Sequence, residues 1–377
     1  MKTEQVTLCF SANTSWYLYN FRYSVLKVLK DNGYRIICVA PFDNYSQRLI
    51  DELNVEWEIL DINRDSLNPI REIRTIFQML FIYKKISPDI CIHFTIKNNI
   101  YGTIAAKINN SLIINNITGL GTAFKKRGIL YCISSFLYKR LLSYSGFIFC
   151  QNKTDAFFIK NKFNINEKKI ILTPGSGVNL KKFKLVKKHD KPTSFNFLFV
   201  GRLIKDKGIF ELIEAFKLIN KQNHKCHLYI AGDIDINNRS AISAKQLNIW
   251  KQIPNITWLG SVNDMPQLYA LCKCIVLPSY SEGLPRTLIE AGAMGLPAIA
   301  SNIPGCNDII SDSFNGYLCE VKNINDLYSK MLMILNSSTE ELDTLSKNAF
   351  EYVEKYFDES IVIDKTIFAI KQLLNKV

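Results

Sequence analysis

Phe195-Asn196-Phe197-Leu198-Phe199-Val200-Gly201-Arg202-Leu203-Ile204-Lys205-Asp206-Lys207-Gly208 is the stretch on which the fold turns. Phe195 to Val200 is a short apolar run, aromatic and aliphatic, that reads as a buried strand. A helical pattern from Gly208 to Asn220 follows it. A strand that ends at a glycine and feeds a helix is one unit of an open parallel sheet. In such sheets ligands bind beyond the carboxyl ends of the strands, and a helix start offers free N–H groups to an anion. Gly201 lets the backbone turn tightly beneath a phosphate, and Arg202 and Lys207 supply the positive charge that a diphosphate demands. On this segment alone, a turn carrying two solvated cations explains the residues equally well.

Outward from this unit the rhythm repeats. His227 to Ala231, Ile256 to Leu259, Ile275 to Leu277 and Ala298 to Ala300 read as further strands, with helices at Ala241 to Trp250, Met265 to Leu271 and Arg286 to Met294. Upstream, Val6 to Phe10, Arg35 to Ala40, Val55 to Leu60, Asp89 to Phe94, Leu112 to Asn115 and Phe147 to Cys150 read as strands. Leu18 to Asp31, Ile70 to Ile86 and Ile100 to Asn109 read as helices between them. Each half is therefore expected to be a doubly wound α/β sheet. The lysine-rich segment Lys181 to Thr193 reads as the linker, giving a Rossmann-like domain over 1–185 and a second over 194–377 with a helical tail from Ile324.

A chain of 377 residues is long enough for two such cores. With 47% hydrophobic and 21% charged residues, the composition is that of a globular protein that folds in water. No apolar run reaches the roughly 18 to 20 residues of a spanning helix, and Met1 to Val6 lacks the long apolar stretch of a secretion signal. The expected place is the cytoplasm. Cys9, Cys38, Cys91 and Cys150 lie in or beside the apolar runs and read as small hydrophobes. Cys272-x-Cys274 has no partner group at zinc spacing, so no metal is expected. Charge is uneven: residues 1–188 hold 28 Lys and Arg against 13 Asp and Glu, and residues 189–377 hold 19 against 21. A basic field confined to one domain implies an anionic partner there.

Pro278-Ser279-Tyr280-Ser281-Glu282-Gly283-Leu284-Pro285-Arg286-Thr287-Leu288-Ile289-Glu290-Ala291 follows a strand and holds two carboxylates eight residues apart. Pro285 suits a first helical turn. Glu282 then lies in the loop beside the helix start, and Glu290 inside the helix, so that one carboxylate can face a sugar's hydroxyls and the other a ribose.

These residues carry a resemblance. Gly201-Arg202 with Lys207-Gly208, then Glu282-x7-Glu290 in the setting Pro-Ser-x-x-Glu-Gly-x-Pro, then Gly295-x-Pro297 and Asn315-Gly316, resemble the retaining glycosyltransferases of family 4. The resemblance implies the GT-B fold: two Rossmann-like domains facing across a cleft, with C-terminal helices crossing back to the first domain. It implies that Arg202 and Lys207 hold the donor diphosphate, that Glu282 contacts the donor sugar as the third catalytic residue, and that Glu290 binds the ribose. Gly201, Gly283 and Leu284 would offer backbone to the donor, and Gly260, Ser261 and Val262 would lie near the base. It implies no cofactor and no metal, the nucleotide sugar, UDP-linked, being a co-substrate. Asp233-x-Asp235 accordingly reads as part of a structural loop.

The first half resembles a narrower subgroup, bacterial enzymes that extend saccharides on undecaprenyl diphosphate with N-acetylhexosamines. The stretches are Tyr19-Asn20-Phe21-Arg22, Ser66-Leu67-Asn68-Pro69, Thr95 to Gly102, and Ile117-Thr118-Gly119-Leu120-Gly121. The resemblance implies a lipid-linked saccharide acceptor, with Asn13, Lys97, Thr118 and Gly119 on its side. Two departures stand out. Many family members carry a histidine where this chain reads Asn116 to Gly121, and many carry Gly-Gly where it reads Ser11-Ala12-Asn13. His93, one strand earlier, reads as a core or cleft-lining residue.

Phe124-Lys125-Lys126-Arg127-Gly128 and the basic, aromatic pattern Ile129 to Tyr144 are the expected contact with an anionic membrane surface, at the inner face of the cytoplasmic membrane. Two other functions use the same features. A nucleotide-sugar 2-epimerase shares the architecture but is disfavoured by Glu282-x7-Glu290. A basic binding protein lacks any compact nucleic-acid recognition motif, so no nucleic acid is expected.

Overall fold

The computed structural model describes residues 5–63, 66, 68–119, 129–185, 195–222, 225–236, 238 and 240–375. It divides into two compact units, Met1–Ser176 with Glu359–Val377, and Gly177–Asp358.

The first unit runs β1 (Thr7–Ser11), α1 (Ser15–Asp31), β2 (Arg35–Ala40), α2 (Asn44–Leu53), β3 (Glu56–Ile59), α3 (Pro69–Ile86), β4 (Ile90–Phe94), α4 (Ile96–Ile108), β5 (Leu112–Ile117), α5 (Ile129–Leu141), β6 (Phe147–Cys150), α6 (Lys153–Phe163) and β7 (Ile170–Leu172). Its strands pair in parallel in the order β3-β2-β1-β4-β5-β6-β7. β1, β4 and β6 are buried along their whole length because helices cover both faces of the sheet. Helix starts are set by short polar side chains. Thr14 accepts from Tyr17 N before α1, and Asp43 with Ser46 forms a capping box before α2. Asn68 accepts from Ile70 N before α3, whose first residue, Pro69, needs no N–H partner.

The second unit runs β8 (Phe195–Val200), α7 (Ile209–Lys221), β9 (Cys226–Ala231), α8 (Ala244–Trp250), β10 (Ile256–Gly260), α9 (Met265–Ala270), β11 (Cys274–Leu277), α10 (Arg286–Ala293), β12 (Ala298–Ser301), β13 (Gly316–Cys319), α11 (Ile324–Leu335) and α12 (Thr339–Phe357). The strand order is β10-β9-β8-β11-β12-β13, again parallel. The last helix, α13 (Glu359–Leu374), returns to the first unit, where Val362, Ala369, Ile370 and Leu373 join a core with Leu18, Val25 and Leu26 of α1.

The expected strands and helices are present to within a few residues at their ends. α2, α6, β7 and β13 are additions to the expected set. β7 and β13 are three and four residues long, too short to show a period, and α2 is mostly polar. All ten cysteines are free, and all but Cys132 are buried. No helix among the described residues is long and apolar enough to cross a membrane, and no group of three or more His, Cys, Asp and Glu among them could hold a metal ion.

Candidate active site

In each sheet the strand order reverses once, between β1 and β4 in the first unit and between β8 and β11 in the second. Chains leaving the two strands at such a point turn opposite ways and open a crevice at the carboxyl edge, where ligands bind in folds of this kind.

In the second unit both loops at that crevice carry the residues singled out in the sequence. After β8 the chain passes Gly201 and Arg202 and makes a short 3-10 turn, Lys205–Lys207, before α7. After β11 it passes Pro278 to Pro285 before α10. The loops are laced together. Tyr280 N donates to Asp206 O at 2.8 Å, and Lys207 Nζ donates to Glu282 Oε1 at 2.5 Å. Gly208 adopts φ +70°, and a Cβ there would lie 2.0 Å from Pro278 O, so only glycine allows the approach. Gly232, at φ +135°, passes as closely over Gly201, its missing Cβ being 2.0 Å from Gly201 O. Gly201 N donates to Ala231 O and Gly232 N to Gly260 O, at 3.0 and 2.7 Å, which aligns the ends of β8, β9 and β10.

Lys207 and Glu282 are 20% and 10% exposed, far enough from bulk water for their attraction to hold both side chains in place. Arg202, 42% exposed, meets Asp235 at 2.5 Å. Glu290 lies inside α10, its Oε1 accepting from Arg286 Nε at 2.8 Å and its Oε2 from Tyr269 Oη at 3.1 Å. Burial, then the Glu290 carboxylate, push the Tyr269 phenol well up, so that it keeps its proton and donates. Gly283 and Leu284 lie in the loop with Glu282, and Gly260, Ser261 and Val262 follow the carboxyl end of β10. The structure thus joins Lys207 to Glu282 directly, places Arg202 at the end of the adjacent β8, and gives Glu290 to a separate hydrogen-bonded group in α10.

In the first unit Asn13 follows β1, and Asn98 opens α4 just after β4. They meet across the crevice, Asn98 Nδ2 donating to Asn13 Oδ1 at 2.6 Å. Asn98 is fully buried, and its Oδ1 has no hydrogen-bond partner. Thr95, between the strand and α4, holds φ +75°, a strained conformation for a β-branched residue and one that clusters at functional sites. Lys97 Nζ donates to Asn63 O, Ser66 O and Glu72 Oε1, each at 2.7 Å, so it braces the start of α4 against α3. Thr118 and Gly119 follow β5, the next strand along. Leu120, Gly121 and the Phe124 to Gly128 stretch lie outside the described residues.

The family model described as "Glycosyl transferases group 1" matches residues 179–352, and that described as "Glycosyl transferase 4-like" matches residues 7–152. An uncharacterized glycosyltransferase of Methanocaldococcus jannaschii is 31% identical over 70% of this chain and 70% of its own. The chain belongs to the glycosyltransferases. The Campylobacter jejuni protein named N,N'-diacetylbacillosaminyl-diphospho-undecaprenol alpha-1,3-N-acetylgalactosaminyltransferase is similar to this glycosyltransferase at 28% identity, over 96% of this chain and 97% of its own. Among solved structures, Anabaena HepE in complex with UDP and glucose is similar at a TM-score of 0.79 and 15% identity, covering 99% of this chain and 100% of that one, a likeness in the GT-B fold. The epimerase and basic-binding-protein readings give way to the glycosyltransferase.

Sequence reasoning missed several residues of the glycosyltransferase's crevice. Asp235, taken only as part of a structural loop, is the partner of Arg202, and its place just past β9 was the available signal. Gly232, in the same Ala-Gly-Asp segment, is the close approach described above. Tyr280 donates to Glu211 Oε1 at 2.6 Å and carries Lys322 Nζ 4.7 Å from its ring centroid. Burial, and next the nearby Glu282 charge, push the Cys306 thiol well up, so it stays neutral and unreactive there.

His93 is not in either crevice. It is fully buried, with Nδ1 2.8 Å from Asn115 Oδ1 and Nε2 3.1 Å from Tyr83 Oη. The Asn115 amide nitrogen is already spent on Thr103 and Ser145, so Asn115 Oδ1 accepts from Nδ1 and Nε2 accepts from Tyr83. That is the neutral imidazole, and burial, against a smaller opposing effect of Asn115, lowers its pKa to about 4.

Proposed function

We propose that this glycosyltransferase moves an N-acetylhexosamine from a UDP-sugar, with retention of configuration and without a metal ion, onto a lipid-diphosphate-linked saccharide at the inner face of the cytoplasmic membrane, in bacterial surface-polysaccharide or glycan synthesis. The single observation that carries the reading is the Lys207–Glu282 pair at the switch point of the second sheet, 2.5 Å apart. It sets a cation for a diphosphate beside a carboxylate for sugar hydroxyls, at a helix start whose free N–H groups favour an anion. The acceptor class draws its support from the Campylobacter relative, which matches along nearly the whole of both chains.

In the proposed step the acceptor hydroxyl attacks the anomeric carbon from the side the leaving group departs. The new C–O bond forms as the bond to the diphosphate breaks, and the hydroxyl proton passes to a diphosphate oxygen. Negative charge grows on the departing phosphate, so positive charge fixed in advance is the largest help a protein can give. Arg202 and Lys207 supply it, and the carboxylates that hold them, Asp235 and Glu282, keep both side chains from wandering before the donor arrives. Glu282 receives the sugar's hydroxyls, and Glu290, fixed by Arg286 and Tyr269, receives those of the ribose. Asn13, Lys97, Thr118 and Gly119 border the acceptor. The basic first domain, with α5 and its Lys139 and Arg140, faces the anionic surface on which that acceptor resides.

The test is a screen of UDP-sugars for thermal protection, followed by transfer from the protecting sugar onto synthetic lipid-diphosphate saccharides in the presence of a chelator. Transfer with an unchanged anomeric configuration is the expected result. Conversion of a UDP-sugar with no acceptor present would reinstate the epimerase, and a chelator-sensitive rate would sink the metal-free step.

A further inference from the structure

The outer face of α3 has no use in the reaction and an unusual surface. Ile70, Ile73, Phe77 and Phe81 are 79%, 53%, 67% and 70% exposed. Their spacing of three, four and four residues sets them in one stripe along the helix. The side facing the sheet is apolar as well, with Met79, Ile82 and Tyr83 buried, so the outer stripe is not what holds α3 in the fold. A run of large apolar side chains in water marks a surface that meets a partner.

The rim of the stripe selects the partner. Arg71, Arg74, Lys84 and Lys85 are the exposed charged residues of this helix. Its one acid, Glu72, turns away to Lys97 Nζ and Tyr101 Oη. The acids beside it are Glu58, which meets Lys85 at 2.7 Å, and Asp61, whose backbone bonds to Thr75 and Gln78, so the four cations still outnumber them. A second copy of the chain docking here through the same face would bring like charges together. An anionic bilayer matches both features, apolar residues going to its acyl boundary and arginine and lysine to its headgroups.

Position argues the same way. Lys97 clamps the first turn of α3, through Glu72 and the carbonyls of Asn63 and Ser66, to the start of α4, where Asn98 meets Asn13. The stripe therefore begins beside the proposed acceptor edge of the first unit. α5 packs on α4 as α3 does, and it exposes Ile133 and Phe136 by 52% and 62%.

We propose that α3 is the membrane-docking helix of this protein, lying in the headgroup layer of an anionic bilayer with Ile70, Ile73, Phe77 and Phe81 inserted and Arg74 and Lys84 against lipid phosphates. The proposal deepens the lipid-linked acceptor reading and rests on it for the membrane as the place of work.

Flotation of the full-length chain with phosphatidylcholine vesicles, with and without phosphatidylglycerol, tests it. Phe77→Ser with Phe81→Ser is expected to lower partitioning at least about tenfold, on the scale of losing two inserted aromatic rings. Arg74→Gln with Lys84→Gln is expected to remove most of the preference for phosphatidylglycerol. Both pairs should melt like the parent and transfer normally onto a short-chain, water-soluble acceptor. Wild-type partitioning in both pairs overturns the proposal. So does a concentration-dependent dimer that the phenylalanine pair abolishes, which would give the stripe to a second copy. If the phenylalanine pair loses vesicles but the parent transfers to no lipid-diphosphate saccharide, the docking helix stands and the acceptor reading falls.

Discussion

Lys207 and Glu282 lie 75 residues apart in the chain and touch in the fold, and this contact is where sequence and chemistry meet. Their types and their places after strand ends were legible, because a diphosphate needs cations and a sugar needs a carboxylate. Their bond was not, since nothing in a linear pattern says which side chains of two loops converge. Lys207→Ala is expected to lower the transfer rate about a hundredfold or more, as is Arg202→Ala, the scale of removing one preorganised charge contact from a departing anion. Steady-state rates of the purified variants check this, and near-normal turnover in either would remove that residue from the proposed step. His93 gives a prediction of another kind. Its pKa of about 4 in the folded chain lies below the 6.5 of an unconstrained imidazole, so the unfolded chain takes up the proton first as pH falls. Its contribution is whole above pH 6.5 and is lost between there and about pH 4, a loss of about 3.5 kcal/mol at 1.4 kcal/mol per unit. Urea midpoints across that window should fall less steeply in His93→Asn than in the parent. Equal slopes would mean that the ring is not held neutral.

At the scale of elements, the fully buried strands β6 and β11 were legible as unbroken apolar runs, and the more exposed β3 and β10 were legible too, through the large apolar residues they carry. The edge strand β13 was not, because Gly316–Cys319 is four residues long with two only half buried. Helix ends were blurred for a related reason: Thr14, Asn68 and Asn152 set them through side-chain bonds that apolar spacing does not register. The turn from β8 into α7 depends on Gly208 sliding beneath Pro278, and the fit leaves no room for a methyl group. Gly208→Ala adds both a clash with backbone and a φ that alanine resists, together a cost of about 1–3 kcal/mol or more. Lower thermal stability should therefore come with weakened UDP-sugar protection, because the same movement parts Lys207 from Glu282. A variant that melts early but binds donor as before would show that the two loops move independently.

For the whole molecule, two Rossmann-like halves were legible from the rhythm of apolar runs, which starts again after the lysine-rich stretch. Which half would own each terminal helix was harder to read, since α11, α12 and α13 share one helical pattern and differ only in what they pack against. Val178 and Asp358 sit side by side at the points where the chain leaves and rejoins the first unit, with Val178 N donating to Phe357 O at 2.9 Å. Both crossings are thus fastened at one place in the second unit, and α13 enters the first unit from there. Its Leu373 is 3% exposed and packs against Gly146, where an added Cβ would come within 2.3 Å of Leu373. Loss of one buried leucine of this kind costs about 2–5 kcal/mol, and α13 supplies four residues to the core it shares with α1. A chain ending at Asp358 is therefore expected to keep a folded second unit that UDP-sugars still protect, while amides of β1, β4 and α1 exchange freely. Hydrogen exchange followed by peptide mass separates the two units directly. Slow exchange in β1 and β4 of the truncated chain would mean that the first sheet closes its own core, and α13 would then be a cover and not a part of it.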